Sequence, residues 1–183
     1  MKNLTNYFTE YQKYNHDEVI TFKKPSTDDI EQLYKAANKS NLSEFTYIPK
    51  PYTRKHAKLW IEKNLNNPSS FLIILNKTNS IIGVISLIDF DTKKKRTEIA
   101  YWLSINYRGQ GLMKRSIRLL LNVLENKTSI SKVYARIFEG NYISIHLLQS
   151  LGFKKEGILS KHEYHDDRMK SVIIMGLILN KAI

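Results

Sequence analysis

Residues 98–125 constrain the fold more than any other stretch of the chain. Glu98-Ile99-Ala100-Tyr101-Trp102-Leu103 has the apolar and aromatic character of a strand. Tyr107-Arg108-Gly109-Gln110-Gly111-Leu112-Met113 follows as a glycine-punctuated turn, and Lys114 to Glu125 carries the periodicity of an amphipathic helix. A strand, a tight turn and a helix start in direct succession expose backbone N–H groups that have no intrahelical acceptor. Such an end carries about half a positive charge and attracts phosphate. Gly109 and Gly111 suit it, because a side chain there would hold an anion away from the backbone. An ordinary loop with two turn glycines has the same local sequence, so the rest of the chain has to decide.

Periodicity and breakers supply the other elements. Val19 to Lys23 reads as a strand. Pro25-Ser26-Thr27-Asp28-Asp29 offers a hydroxyl cap and first-turn acids to a helix running to about Asn38, with Ile30, Leu33, Tyr34 and Ala37 on one face. Pro49 and Pro51 bar regular helix from residues 39–52, and a loop of that length beside a site is often a substrate wall. Thr53 can cap a second helix to about Leu65, with Ala57, Trp60 and Ile61 inward. Phe71 to Leu75, Ile81 to Asp89 and Thr97 to Leu103 predict an antiparallel meander. Lys132 to Phe138 follows a helix, so it is expected parallel to the strand before it, as in a βαβ unit. Asn141 to Leu151 reads as a short helix ended by Gly152. Phe153 to Leu159 and Ser171 to Leu179 are the last strands, joined by a polar loop. The expected fold class is α/β (α+β), one domain over residues 18–183 with a mixed, mostly antiparallel sheet of about seven strands and about four helices. Residues 1–17 hold Tyr7, Phe8, Tyr11 and Tyr14 at helical spacing, and form either a short packed helix or a partly ordered lead-in.

Charge and cysteine usage narrow the chemistry. A formal charge of +12 on 183 residues favours polyanionic partners such as a phosphorylated cofactor, and disfavours polyamines. The densest basic run, Lys93-Lys94-Lys95-Arg96, lies between two strands and reads as a solvated hairpin tip. There is no cysteine, which excludes a disulfide framework and a thiol nucleophile. No apolar run is long enough to cross a bilayer and no signal peptide is evident, so no membrane association is expected and the cytoplasm is the default compartment.

The element order, with the motifs it carries, resembles the GCN5-related N-acetyltransferases (the GNAT superfamily) over roughly residues 18–180. Arg108-Gly109-Gln110-Gly111-Leu112-Met113 is similar to that family's acetyl-CoA signature, Arg/Gln-x-x-Gly-x-Gly/Ala, with Met113 in the last place. Asn141-x-x-Ser144 and Leu151-Gly152-Phe153-x-x-Glu156-Gly157 follow at the family's distance. Within the superfamily, these motifs, the Glu98-to-Leu103 strand and Gly111-Leu112-Met113 resemble the ribosomal-protein N-acetyltransferases that modify N-terminal serine or alanine. Ala100, Asp167 and Ser171 depart from that branch, which has a strand glycine, a turn glycine and an acid there. The resemblance implies a sheet splayed between its fourth and fifth strands, with acetyl-CoA as cosubstrate. It places the CoA diphosphate on the turn amides, at Arg108, Gly109, Gly111, Leu112, Met113 and Lys114. It puts backbone amides of Tyr101 or Trp102 at the thioester carbonyl, with Leu103 beside them on the cofactor side, and Asn141 on the pantetheine.

The residues themselves suggest a mechanism. An amine attacks a thioester only when neutral. An α-amino group is about 10% neutral at pH 7, and a lysine amine well below about 0.1%. Glu98 is the candidate base, acting directly or through water; the competing reading is a strand carboxylate paired with Arg96 or a nearby lysine. Without cysteine a thiol acyl-enzyme cannot form, so direct attack in a ternary complex is expected. Many family members carry a tyrosine acid seven residues after the asparagine, where this chain has Leu148. Ser144 is the substitute suggested by the ribosomal-protein branch, as a hydrogen-bond donor to the leaving sulfur; a serine in a helix's first turn needs no such role.

Other residues carry less. His162-x-x-His165 has ligand-like spacing in a polar loop without a third partner, so no metal is expected. Arg115 and Arg118 either reach the CoA 3′-phosphate or are solvated, and Trp60 and Trp102 are core or cleft-wall aromatics. The expected activity is acetyl transfer from acetyl-CoA to a protein N-terminal amine, with a ribosomal protein as partner, by a monomer or homodimer without direct nucleic-acid contact. The alternatives are an enzyme for a small amine, such as an antibiotic or amino acid, and a non-catalytic acyl-CoA-binding or nucleic-acid-associated module.

Overall fold

The computed structural model describes residues 17–38 and 43–180; the helix considered for residues 1–17 lies, Asp17 apart, outside the described residues. One sheet has the strand order β1-β2-β3-β4-β5-β7-β6. Its strands are β1 Ile20–Lys23, β2 Ser70–Leu75, β3 Ser80–Asp91, β4 Arg96–Leu103, β5 Lys132–Phe138, β6 Lys154–His165 and β7 Arg168–Ile178. The α-helices among the described residues are α1 Ile30–Asn38, α2 Arg54–Asn64, α3 Leu112–Lys127 and α4 Tyr142–Gln149. All strand pairs are antiparallel except β4–β5, where the α3 crossover returns the chain parallel to β4.

Side-chain alternation along the strands sorts two cores onto the two faces of the sheet. One face packs Ile73, Ile85, Leu87, Ile99 and Leu103 against Ile117, Leu120 and Leu124 of α3 and Leu148 of α4. The other packs Leu72, Ile74 and Val84 against Leu33 and Ala36 of α1 and Ala57 and Ile61 of α2. Thr53 caps α2 as expected, its hydroxyl accepting from the His56 N–H at 3.3 Å. Ahead of α1 the chain first makes a 3-10 turn, Thr27–Asp29, rather than entering the helix directly. Buried Asp29 holds that turn: its Oδ2 accepts from the Ser26 N–H and hydroxyl, both at 2.9 Å, and its Oδ1 pairs with Lys23 Nζ at 2.6 Å.

Residues 160–170 are not the expected loop. β6 and β7 continue through them as a long hairpin, paired as far as His165 and Arg168. Asp166 and Asp167 close it, both left-handed at φ 56° and 58°. That conformation matches the twist of a two-residue hairpin turn, and aspartate tolerates it. Asp167 thus takes the left-handed turn position that a glycine would otherwise fill. The Lys93–Lys95 run does form the tip between β3 and β4, where Asp91 Oδ1 accepts from the N–H groups of Lys93 and Lys94, both at 2.9 Å.

The strands that matter most are β4 and β5. They pair only through Arg96, Thr97 and Glu98, opposite Lys132, Val133 and Tyr134. Beyond Glu98, β4 stays with β3 as far as Leu103 opposite Gly83, while β5 follows β7 as far as Phe138 opposite Val172. The sheet is therefore splayed between its fourth and fifth strands. Gly83 allows β3 to follow β4 closely there: a Cβ on it would lie 2.3 Å from the Trp102 carbonyl oxygen.

Candidate active site

The parting strands open a cleft of about 1660 Å³, larger than a single-ligand pocket of about 300–1,000 Å³ and roomy enough for a large cosubstrate together with its acceptor. The edges of β4 and β5 line its middle, the heads of α3 and α4 one end, and residues 44–49 with α2 the other.

The head of α3 begins at Gly111, and no side chain caps it. Arg115 N–H, donating to the Gly111 carbonyl at 3.0 Å, opens the helical ladder, so the amides of Leu112, Met113 and Lys114 precede any intrahelical acceptor. Gly109 and Gly111 are both left-handed, at φ 75° and 73°, and a Cβ on either would meet nothing within 4 Å. Both glycines border the cleft with their missing side chains toward open space. A bare helix head of this kind fits a diphosphate. The sequence motif also includes Arg108, but its Nε donates back to the Leu103 carbonyl at 3.1 Å, bracing the end of β4 against the turn. Burial there pulls the Arg108 guanidinium below its ordinary pKa.

Beside the helix head lies a smaller cavity of about 650 Å³, lined by Lys114, Arg115 and Arg118. Arg115 is half-exposed but not free: its Nε pairs with Asp17 Oδ2 at 2.5 Å, and Asp17 Oδ1 holds the N–H groups of Val19 and Ile20 at the start of β1.

On the far side of the gap, Asn141 caps α4 by accepting from the Ser144 N–H at 3.3 Å. Its Oδ1 is thereby engaged, and its amide nitrogen remains to donate into the cleft that Asn141 and Ser144 line.

Alternation divides β4 between the faces. Tyr101 and Leu103 lie with the α3/α4 core, and Trp102 with the α1/α2 core. Glu98, two pairs away from Trp102, shares its face. The pairing of Glu98 with Arg96 or a lysine does not form: among the described residues Glu98 has no ion-pair partner. Burial pushes its carboxyl above the ordinary range, Arg136 opposes the rise, and Asp89 adds to it. Asp89 is brought there by an irregularity in β3 between Ile88 and Asp91, where Asp89 itself is left-handed at φ 49°. Bulges beside a site commonly re-aim a side chain in this way.

Arg136, Glu163 and Lys170 were not marked by sequence reasoning, and His165 entered it only as half of a ligand-like spacing. Arg136 on β5 pairs with Glu163 on β6 across the intervening β7. Lys170, 6% exposed, donates from Nζ to the Glu44 carbonyl at 2.7 Å, with the Phe45 and Phe138 rings beneath it. His165 stacks on Phe138 at 4.6 Å, and its Nε2 donates to the Ser43 carbonyl at 2.7 Å. These contacts pin the 43–47 segment to the β6–β7 hairpin and make it a fixed cleft wall. The alternating polar residues of β6 were the one available signal. His162 is exposed, and among the described residues no histidine or acid cluster is arranged to hold a metal.

Sheet, splay and bare helix head together define an acyl-CoA-binding transferase scaffold. A family model described as "Acetyltransferase (GNAT) domain" matches residues 20–154, and the chain belongs to that family as an acetyl-CoA-dependent N-acetyltransferase. It is 25% identical to an uncharacterized N-acetyltransferase, p20, of Bacillus licheniformis, over 89% of this chain and 94% of that protein. It is 25% identical to the ribosomal-protein-serine acetyltransferase of Escherichia coli K12 over 60% of this chain and 61% of that one. With the spermidine N(1)-acetyltransferase of the same organism the identity is 21%, over 67% and 66%. The fold matches a ribosomal L7/L12 α-N-protein acetyltransferase solved with coenzyme A, at TM-score 0.81 and 19% identity, covering 90% of this chain and 96% of that one.

Proposed function

We propose that this chain acetylates the α-amino group at the end of a protein, a ribosomal protein being the partner class suggested by one of its relatives. The observation that carries the reading is Glu98: a half-buried carboxylate without an ion-pair partner among the described residues, beside the gap and on the face opposite the CoA helices. An α-amine needs only a modest base, since its own pKa is near 8. Glu98, raised by burial, takes the amine proton directly or through one water.

Acetyl-CoA supplies an electrophilic thioester when bound. Amides of Leu112, Met113 and Lys114 hold the diphosphate, Gly109 and Gly111 let it approach, and Asn141 donates to the pantetheine arm. Past Glu98, the β4 edge facing β5 has lost its ladder partner. Of the two amides considered, Trp102's faces β3, as its carbonyl does, and Tyr101's faces the gap, set to donate to the thioester carbonyl oxygen as its charge develops. Ser144 donates at the sulfur end.

A second reading, a small cationic amine as acceptor, has its own observation. Arg108 and Lys114 lie at the helix-head end of the cleft, while at the acceptor end Glu44, Asp89, Glu98 and Glu163 outnumber Lys63 and Arg136, so an acceptor meets a local excess of negative charge although the chain as a whole is +12. The argument from net charge against polyamines therefore does not extend to the cleft. Cell lysate incubated with the protein and isotopically labelled acetyl-CoA, then read by mass spectrometry, is expected to carry label on protein α-amino groups. Label confined to spermidine or other small amines would overturn the protein-terminus assignment in favour of the second.

A further inference from the structure

One side chain lining the cleft carries a polar atom without a partner. The Tyr101 side-chain hydroxyl is buried and, among the described residues, has no hydrogen-bond partner. A buried hydroxyl is nearly always paired, and leaving one unpaired is destabilising. An orphan of this kind in a ligand cleft points to a partner that arrives with the ligand.

Its surroundings say which part of the ligand. Tyr101 lines the cleft on the α3/α4 face, where the helix heads lie. From Leu103, next to the turn, back to Glu98 at the fork, β4 is an extended strand of about 16 Å, with Tyr101 on the way. An arm laid along that strand from the α3 head passes Tyr101 before it reaches the fork, so its far end lies between Tyr101 and Glu98. The Ser144 hydroxyl is near enough to influence the Tyr101 hydroxyl, although the two make no closed hydrogen bond. Leu148, where a tyrosine acid stands in similar enzymes, is fully buried and apolar.

We infer that the Tyr101 hydroxyl is the principal hydrogen-bond donor to the leaving sulfur, acting with Ser144 as a two-hydroxyl cradle that does the work of the missing α4 tyrosine. This rests on the acetyl-CoA site proposed above. In the step concerned, the amine nitrogen bonds to the carbonyl carbon, the carbon–sulfur bond breaks, and its electron pair leaves with sulfur. The amine proton goes to Glu98 or water. Burial pushes the Tyr101 phenol up to about 12, so it keeps its proton and stabilises the thiolate by donation alone. The thiolate, ordinarily near 8.5, takes its proton from water as it leaves.

The test uses free CoA and the absence of cysteine, which makes the CoA thiol the only one in the sample. Its ultraviolet thiolate absorbance is titrated when bound to wild type, Tyr101→Phe and Ser144→Ala. The bound thiol is expected to titrate about one unit below free CoA in wild type, and to return most of the way in Tyr101→Phe and part of the way in Ser144→Ala. Turnover of Tyr101→Phe should fall about 10- to 100-fold with KM for acetyl-CoA unchanged. Without ligand, Tyr101→Phe should melt no lower than wild type, since a structural hydroxyl would be missed and an orphan would not. A bound thiol that titrates alike in wild type and Tyr101→Phe overturns the inference while leaving the CoA site standing. If Tyr101→Phe melts lower, an unshifted thiol in Ser144→Ala overturns it instead. Calorimetry showing that wild type does not bind CoA removes the site and this inference together.

Discussion

Replacing Gly111 by glutamate, with alanine as its control, tests the grip on the diphosphate. Gly111 is left-handed at φ 73° and ψ 0°, where any other residue is strained by about 1–2 kcal/mol. No atom lies within 4 Å of an added Cβ, so no clash adds to the strain. Both variants should fold, melting roughly 2–8 °C lower for a chain of this length. Binding separates them. Two like charges 4 Å apart repel by about 1 kcal/mol in water and about 4 kcal/mol at an effective dielectric of 20. Against the two charges of a diphosphate at a half-open site, glutamate should cost about 2–4 kcal/mol beyond alanine, a weakening of about 30- to 1000-fold. Calorimetry of acetyl-CoA binding is the assay, at low and at moderate salt. Alanine should stay within about tenfold of wild type, and the glutamate gap should narrow as salt rises. If the two variants bind alike, no anion sits at the head of α3 and the assignment of the turn fails.

Other perturbations probe separate parts of the site. Glu98→Gln should keep acetyl-CoA affinity and lose about 10²- to 10⁴-fold in turnover near neutral pH, the deficit shrinking in a pH–rate profile as the amine loses its own proton near pH 8. Because the folded protein holds the Glu98 carboxyl above its ordinary range, it favours the protonated form. The ligand-free Gln variant should therefore melt higher than wild type at pH 7, with the gain vanishing below the unperturbed carboxylate value near 4.3. Gly83→Ala drives a Cβ into the Trp102 carbonyl and should cost about 1–3 kcal/mol by chemical denaturation; an unchanged midpoint would mean that β3 and β4 are not packed as described. Lys170→Met removes one of the contacts that pin the 43–47 wall to the β6–β7 hairpin, His165 keeping the other, and should raise acceptor KM by a few-fold up to about tenfold with acetyl-CoA KM unchanged, as steady-state kinetics would show.

What could be read from the chain beforehand follows from how local each feature is. The α3 head was legible because strand, glycines and helix are consecutive, and the bond that caps α4 spans only Asn141 to Ser144. The meander was legible as apolar runs between polar turns, but its division between two faces was not, because β2 and the first half of β3 are apolar on both. The β6–β7 hairpin was not, because residues 159–169 are polar or exposed on both faces and the turn is Asp166-Asp167 rather than a glycine pair. The environment of Glu98 was equally hidden. Its neighbours Asp89 and Arg136 come from strands on either side, one placed by a bulge and the other held by Glu163 on a strand that does not touch β5. No spacing rule encodes a contact that depends on three strands at once.

The alternation of β4 has a consequence for how the two substrates meet. Glu98 and Tyr101 are three residues apart, so an extended strand must send them to opposite faces. In an unbroken sheet they would be separated by a wall of paired backbone. Here the wall stops at Glu98, because β5 turns away to follow β7. The gap that follows is bounded on one edge by free β4 amides. Carboxylate, amides and hydroxyl therefore address a single slot from three directions. An amine entering from the α1/α2 side and a sulfur leaving toward the α3/α4 side need not pass each other, which suits direct transfer in a ternary complex. A slip of one residue in the β3–β4 register would exchange the faces and put the carboxylate on the cofactor side. The close fit of Gly83 under Trp102 opposes that slip, because every other residue carries a Cβ where the Trp102 carbonyl must lie.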